Sequence, residues 1–385
     1  MPQPTPVLFG IDILLTQAAN YTAKRMALVC NNASLTTTDI PTRAALLQKG
    51  FTLVKLFSPE HGLSATGEDG SFQNDSIDAA TGLPVISLYG NHLAPRQKDL
   101  EDIDIVVFDI PDIGCRFYTY LWTMTHVMES CAANNKELII TDRPNPITGN
   151  LSFAEGPILD EKNCSSFIGR YAIPVRHSCT LGELALYFAA FKIKNLRLTV
   201  IPVQNWQRNQ SSGFIFTPTS PAIQNQHTAL LYPGMGLLEG INVNEGRGTN
   251  QPFNCCGAPW INENDLQNAF AKRNCPGISS QPITYTPDIG LYATELCKGL
   301  QFFITDETVF RSVQTGIALI KTIIQLYPLH VTERLYPTVA NPTGTGHLNK
   351  LLGIPDAFGT IKSTATCNFN IADEWAALMK EFLLY

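Results

Sequence analysis

The chain contains no CxxC pair, no CxxC…HxxxH spacing and no GxSxG elbow. The first two absences argue against a zinc site, and the third weakens a serine-hydrolase reading. No apolar run reaches the ~18–20 residues that a membrane helix needs, so no membrane span is expected. Basic charge is sparse: 27 Lys and Arg stand against 33 Asp and Glu, for a net charge of −6. With no basic stripe, nucleic acid is a poor partner. The start, Met1-Pro2-Gln3-Pro4, has no positive region ahead of an apolar core, so no signal peptide is visible. The expectation is cytoplasmic as written, and periplasmic or secreted for a trimmed chain. No GxGxxG follows the first strand, which argues against a dinucleotide. Gly62-x4-Gly67 has phosphate-loop spacing, but Glu68-Asp69 stands where Lys-Ser/Thr is needed, and two carboxylates repel an anion. No cofactor and no metal are expected.

What is present describes a globular enzyme. The 385 residues are 44% hydrophobic and long enough for two domains. The ten cysteines read as free thiols of a reducing compartment. Strand signals fall at 26–30, 53–57, 85–88, 103–110, 137–141 and 198–203. They are rich in Val, Ile and Leu without period-2 alternation, as when both sheet faces are covered. Helix signals lie between them, at 42–48, 118–133 and 180–191. The last opens with the capping box Thr180-Leu181-Gly182-Glu183. This alternation predicts a Rossmann-like, doubly wound, mostly parallel α/β sheet over residues 1–222. The stretch 205–226, with Pro218, Pro221, Gly213 and a cluster of Ser, Asn and Gln, reads as a linker or long loop. Residues 223–385 read as a smaller α+β domain, with a strand in 293–304, helices at 309–326 and 375–384, and an active cleft between the domains.

Four of the predicted strands end in polar residues. Asn31 follows the first. Glu60 and His61 follow the second, in Phe57-Ser58-Pro59-Glu60-His61-Gly62. Asp109, Asp112, Arg116 and Tyr118 follow the fourth, and Asp142, Arg143 and Asn145 the fifth. In a parallel sheet these loops share one edge, where open α/β sheets place ligands. A lining of donors and acceptors suits a polyhydroxylated ligand such as a sugar. The competing reading is that Asp and Asn cap helices and turns. Glu60 is the leading acid/base candidate, because a desolvated carboxyl holds its proton near neutral pH. Its alternatives are to cap a turn or to pair with Arg116 or Arg143.

A second dense patch is Asn244-Glu245-Gly246-Arg247-Gly248-Thr249. Glu245 suits a second carboxylate and Arg247 an anion clamp; the alternative is an ion pair between the two within one loop. Arg170 and Arg176 are further anion-binding candidates.

Several segments carry a family resemblance: FSPEHG at 57–62, VFDIPDIGCRFYTY at 107–120, DRPNPITG at 142–149, EGP at 155–157 and GRYAIPVRH at 169–177. TALLYPGMGLLE at 228–239, NEGRGT at 244–249 and GAPWI at 257–261 extend it. Together they resemble the NamZ-type exo-β-N-acetylmuramidases over roughly residues 10–330, with the last ~55 residues matching less clearly. The resemblance implies a Rossmann-like domain, a smaller C-terminal domain and a cleft between them. It also implies a glycoside hydrolase that releases N-acetylmuramic acid from the non-reducing end of small muropeptide-derived sugars such as MurNAc-GlcNAc. Its motif glutamates fall on Glu60 and Glu245. Glycoside hydrolysis asks for a carboxylic acid that protonates the leaving oxygen, here Glu60, and a second group. That group is Glu245 or the substrate's own acetamido oxygen. The lactyl carboxylate of muramic acid needs a cation, and Arg247, Arg143 and Arg116 are the candidates. Asn31, His61, Asp109, Tyr118, Asp142, Asn145 and Asn244 complete the expected substrate contacts.

Overall fold

In the computed structural model, which describes residues 5–210, 214, 216–364, 369 and 371–385, seven strands form the main sheet. They are β1 Arg25–Val29, β2 Thr52–Ser58, β3 Ser76–Ile77, β4 Pro84–Ser87, β5 Ile105–Phe108, β6 Glu137–Thr141 and β7 Arg197–Ile201. The order is β3-β4-β2-β1-β5-β6-β7, and only the short edge strand β3 runs antiparallel. The six parallel strands thus follow the doubly wound order 3-2-1-4-5-6, with its reversal between β1 and β5.

Alternate residues of each central strand feed two cores. Ala27, Val29, Phe57, Val106, Phe108 and Ile140 join one, while Met26, Leu28, Leu56, Ile105, Val107 and Ile139 join the other. Both faces are buried, which is why the strands read as unbroken apolar runs. Val29 pairs with Phe57 and with Phe108, and Phe108 pairs with Ile140. This register starts the polar loops from one line. The capping box is present: Thr180 accepts from Glu183 N, Glu183 accepts from Thr180 N, and the helix Leu181–Phe191 follows.

The C-terminal part carries a three-stranded antiparallel sheet, β8 Cys255–Ala258, β9 Ile278–Tyr285 and β10 Cys297–Ile304, in the order β8-β10-β9. Of these only β10 was expected. β8 is too short and too rich in Cys and Gly to signal a strand, and β9 is polar, largely exposed and interrupted by Pro282. The helices Gln226–Met235 and Ser312–Leu326 cross where Gly234 meets Gly316. Part of the expected linker (211–213 and 215) lies outside the described residues, as does Cys367. The described cysteines are free. No helix among the described residues is long and apolar enough to cross a membrane.

Candidate active site

Strand β2 ends at Ser58, and the chain then turns sharply. His61 has φ +65° and Gly62 has φ +70°. A non-glycine residue in this left-handed region is uncommon and marks a position held by its surroundings. Here the His61 ring is tied by Nδ1 to the Gly67 carbonyl at 2.7 Å, and its edge meets the Tyr120 ring. The turn puts Glu60 on the wall of a cavity of about 750 Å³, counted with its open mouth. Three loops from the main sheet line it with Glu60, His61, Asp69, Tyr89 and Phe117–Thr119; the 166–168 and 220–223 segments and the C-terminal part supply the rest.

Glu60 is buried, and its Oε1 accepts from Gly70 N at 2.8 Å. Burial pushes its carboxyl above the usual range; His61 pulls it down, and the negative charge of Asp69 adds to the rise. Asp69 moves the other way. Burial works against its charge, but the Arg247 guanidinium and the Tyr336 hydroxyl overcome it and hold the carboxyl below its ordinary value. Tyr336 donates to Asp69 Oδ2 at 2.6 Å, and Arg247 Nη2 lies 3.5 Å from Oδ1. The Asp69 side chain keeps 31% exposure because it faces the open cavity. Glu60, His61 and Asp69 each present one coordinating atom, all within 4.8 Å of one another. A carboxyl pushed up thus faces one pulled down at short range, the pattern that separates acid from base roles. Those atoms also have metal-ligating geometry. However, the carboxylates are already engaged by Gly70 N and the Tyr336 hydroxyl, and the Arg247 cation stands beside them.

Of the expected site residues, Glu60, His61, Tyr118 and Arg247 line the cavity. Tyr118 donates to Thr219 Oγ1 at 2.7 Å. Glu245 does not line it. Its side chain is 2% exposed and sits behind Arg247, 3.4 Å from Arg247 Nε and 3.4 Å from Arg334 Nη1, so the ion-pair alternative holds. Burial and the neighbouring Glu239 push the Glu245 carboxyl up, against both arginines. Asn244 shapes that same loop, donating to the Arg247 and Leu291 carbonyls and accepting from Gly246 N.

The other expected contacts are corrected, because each is consumed inside the fold. Asp109 and Arg143 form a buried two-point ion pair, at 2.8 and 2.9 Å. Thr42 and Thr141 donate to the same aspartate. Asp142 accepts from Thr180, Gly182 N and Tyr385, and so anchors the helix start at 181. Asn145 binds the Cys179 carbonyl, and Asn31 braces Tyr120. Arg116 is fully buried and donates to the carbonyls of Pro157, Ile173 and Leu351. Arg170 pairs with Glu129, and Arg176 with Glu155. The helix- and turn-capping alternative therefore applies to Asp142 and Asn145 after β6, whereas Asp109 is taken up by an ion pair.

Sequence reasoning missed Asp69, Glu239, Tyr336, His347 and Lys350 on the wall. Asp69 was visible as the acidic residue that breaks the phosphate-loop pattern, and its use lies in that same charge. Glu239 sits inside a matching segment without a spacing that marks it. The last three fall where the family resemblance was weakest.

Comparison with known proteins gives a consistent picture. Residues 26–227 match the family described as exo-beta-N-acetylmuramidase NamZ, N-terminal, and residues 230–385 match its C-terminal counterpart. The chain is 38% identical over 325 residues to peptidoglycan beta-N-acetylmuramidase NamZ of Bacillus subtilis (strain 168), covering 83% of this chain and 78% of the relative. Two crystal structures of DUF1343 family proteins from Bacteroides fragilis NCTC 9343 share the fold. One has a TM-score of 0.87 and 28% identity over 100% of both chains. The other has a TM-score of 0.76 and 26% identity over 99% of both.

Proposed function

The chain belongs to the exo-β-N-acetylmuramidase NamZ family and is a peptidoglycan-processing glycosidase, and from that premise we propose that it releases N-acetylmuramic acid from the non-reducing end of sugars such as MurNAc-GlcNAc. The observation that carries this reading is the adjacent pair on the cavity wall, Glu60 raised and Asp69 lowered. Glu60 acts as the general acid. Its proton passes to the glycosidic oxygen as the bond from that oxygen to the anomeric carbon breaks. Positive charge then develops across the anomeric carbon and the ring oxygen, and the Asp69 carboxylate faces it. Water completes the hydrolysis and returns a proton to Glu60.

Inverting glycosidases leave ~6.5–9.5 Å between their carboxyls for a water, and retaining ones ~5–5.5 Å. Glu60 and Asp69 present oxygens within 4.8 Å of each other, which supports Asp69 rather than Glu245 as the second carboxylate. The cleft lies between the large sheet and the C-terminal part, and we place the domain division at 222/223. The two family matches, ending at 227 and beginning at 230, support a division there.

Glu60→Gln keeps the shape of the side chain and removes the acid. Chromophore release from a β-MurNAc glycoside should be abolished, with the melting temperature nearly unchanged. General acids contribute about 10²–10⁴-fold, so activity within about tenfold of the parent removes Glu60 from this role.

A further inference from the structure

An anionic ligand in this cavity needs a cation that is not already neutralised. Arg247 does not qualify, with Asp69, Glu239 and Glu245 at 3.5, 2.7 and 3.4 Å. Among the described residues, the other Lys or Arg on the wall is Lys350. Its ammonium donates to Asn341 Oδ1 at 2.8 Å and to the Thr345 carbonyl at 2.9 Å, both neutral. None of the described carboxylates pairs with it. An ammonium has three donors, so one is left over. Burial pulls this ammonium below the ordinary lysine range, as befits a charge held only by neutral oxygens.

The groups around Lys350 are unmet in the same sense. Asn341 Nδ2 is buried without a partner. His347 is 6% exposed, yet neither ring nitrogen is hydrogen-bonded. Its Nε2 lies 3.7 Å from Glu239 Oε2, too far for a bond. An imidazole carries at least one N–H in either charge state, so a donor is unsatisfied here. His347 and Lys350 stand three residues apart on the helix His347–Leu352, which puts them on one face. The Tyr336 ring stacks on His347 at 4.5 Å and fixes it. Buried donors without partners cost free energy that a ligand with acceptor oxygens recovers.

We propose that Lys350, Asn341 and His347 form a carboxylate subsite that receives the lactyl group of an N-acetylmuramyl unit and selects it over N-acetylglucosamine. This rests on the muramidase reading above and moves the carboxylate contact away from Arg247. Lys350 supplies the charge, Asn341 Nδ2 a second donor, and His347 a third. A carboxylate has about four lone-pair sites and can accept all three.

The test is calorimetric titration of the full chain with free N-acetylmuramic acid and free N-acetylglucosamine. The parent should bind the acid about 10–100-fold more tightly, the range of a charge-assisted contact. Lys350→Met should bring the two sugars to near-equal affinity, and Lys350→Arg should restore most of the preference. Asn341→Asp, which places a carboxylate beside Lys350, should abolish the preference in a chain that melts like the parent. A preference that survives Lys350→Met and Asn341→Asp overturns the proposal, as does a parent that shows none. Binding is read without turnover, so the two readings fail separately. A preference that depends on Lys350 in a chain without hydrolysis sinks the muramidase reading alone. Hydrolysis with a preference independent of Lys350 sinks the subsite alone.

Discussion

In the proposed reaction Asp69 and Glu60 act through each other's charge, and the pH profile should show it. Glu60 must be protonated to work, so kcat/KM should be lost as pH rises through its raised pKa. Asp69 must be ionised, so activity should also be lost as pH falls through its lowered pKa. Asp69→Asn removes the facing negative charge. We expect kcat to fall about 10²-fold or more. The alkaline limb of what remains should move to lower pH, because Asp69 no longer raises Glu60. An alkaline limb that stays in place would show that the two carboxyls do not communicate. At this scale the sequence was half legible. The cavity-wall place of Glu60 was readable from its position after a buried strand, while that of Asp69 was not. Glu245 has a motif and flanking glycines, whereas Asp69 becomes a partner only because the 59–70 loop folds back and Tyr336 and Arg247 arrive from distant segments.

At the scale of elements, the crossing of Gln226–Met235 and Ser312–Leu326 is set by two glycines. A methyl group on Gly316 would run into the Gly234 carbonyl, and one on Gly234 into the Ser312 carbonyl. Backbone does not yield as a side chain does. Gly316→Ala should therefore cost about 1–3 kcal/mol, the usual range for overpacking, seen as a lower urea midpoint. An unchanged midpoint would mean that the helices separate freely. Elements that were apolar or capped were legible: β1, β2, β5 and β6, the helix from Leu181 and the helix ending at Leu326. β8 and β9 were not, because their pairing with β10 comes from tertiary contact rather than from their own composition.

For the whole molecule, Arg116 joins parts far apart in the chain. It is fully buried and without a carboxylate partner among the described residues, and burial pulls its guanidinium down to about 10. Its donors reach Pro157, Ile173 and Leu351, the last adjacent to Lys350. Arg116→Met would strip the Pro157 and Leu351 carbonyls of this donor, at about 1–3 kcal/mol each, while the Ile173 carbonyl keeps Leu159 N. Chemical denaturation should show a marked loss of stability, and affinity for the muramyl product should weaken as the helix His347–Leu352 loosens. Parental stability would mean that water takes over those carbonyls.

The sequence by itself determined the doubly wound α/β class, the place of Glu60 and the family, because apolar runs, caps and contiguous motifs are local properties of the chain. The tertiary structure decided which polar residues remain for a ligand. Asp109, Arg116, Asp142, Arg143 and Asn145 look as reactive in sequence as Glu60 does. A buried polar group must find a partner, and theirs lie tens or hundreds of residues away. Only when those pairings are made are Asp69, Arg247, His347 and Lys350 left facing Glu60's cavity.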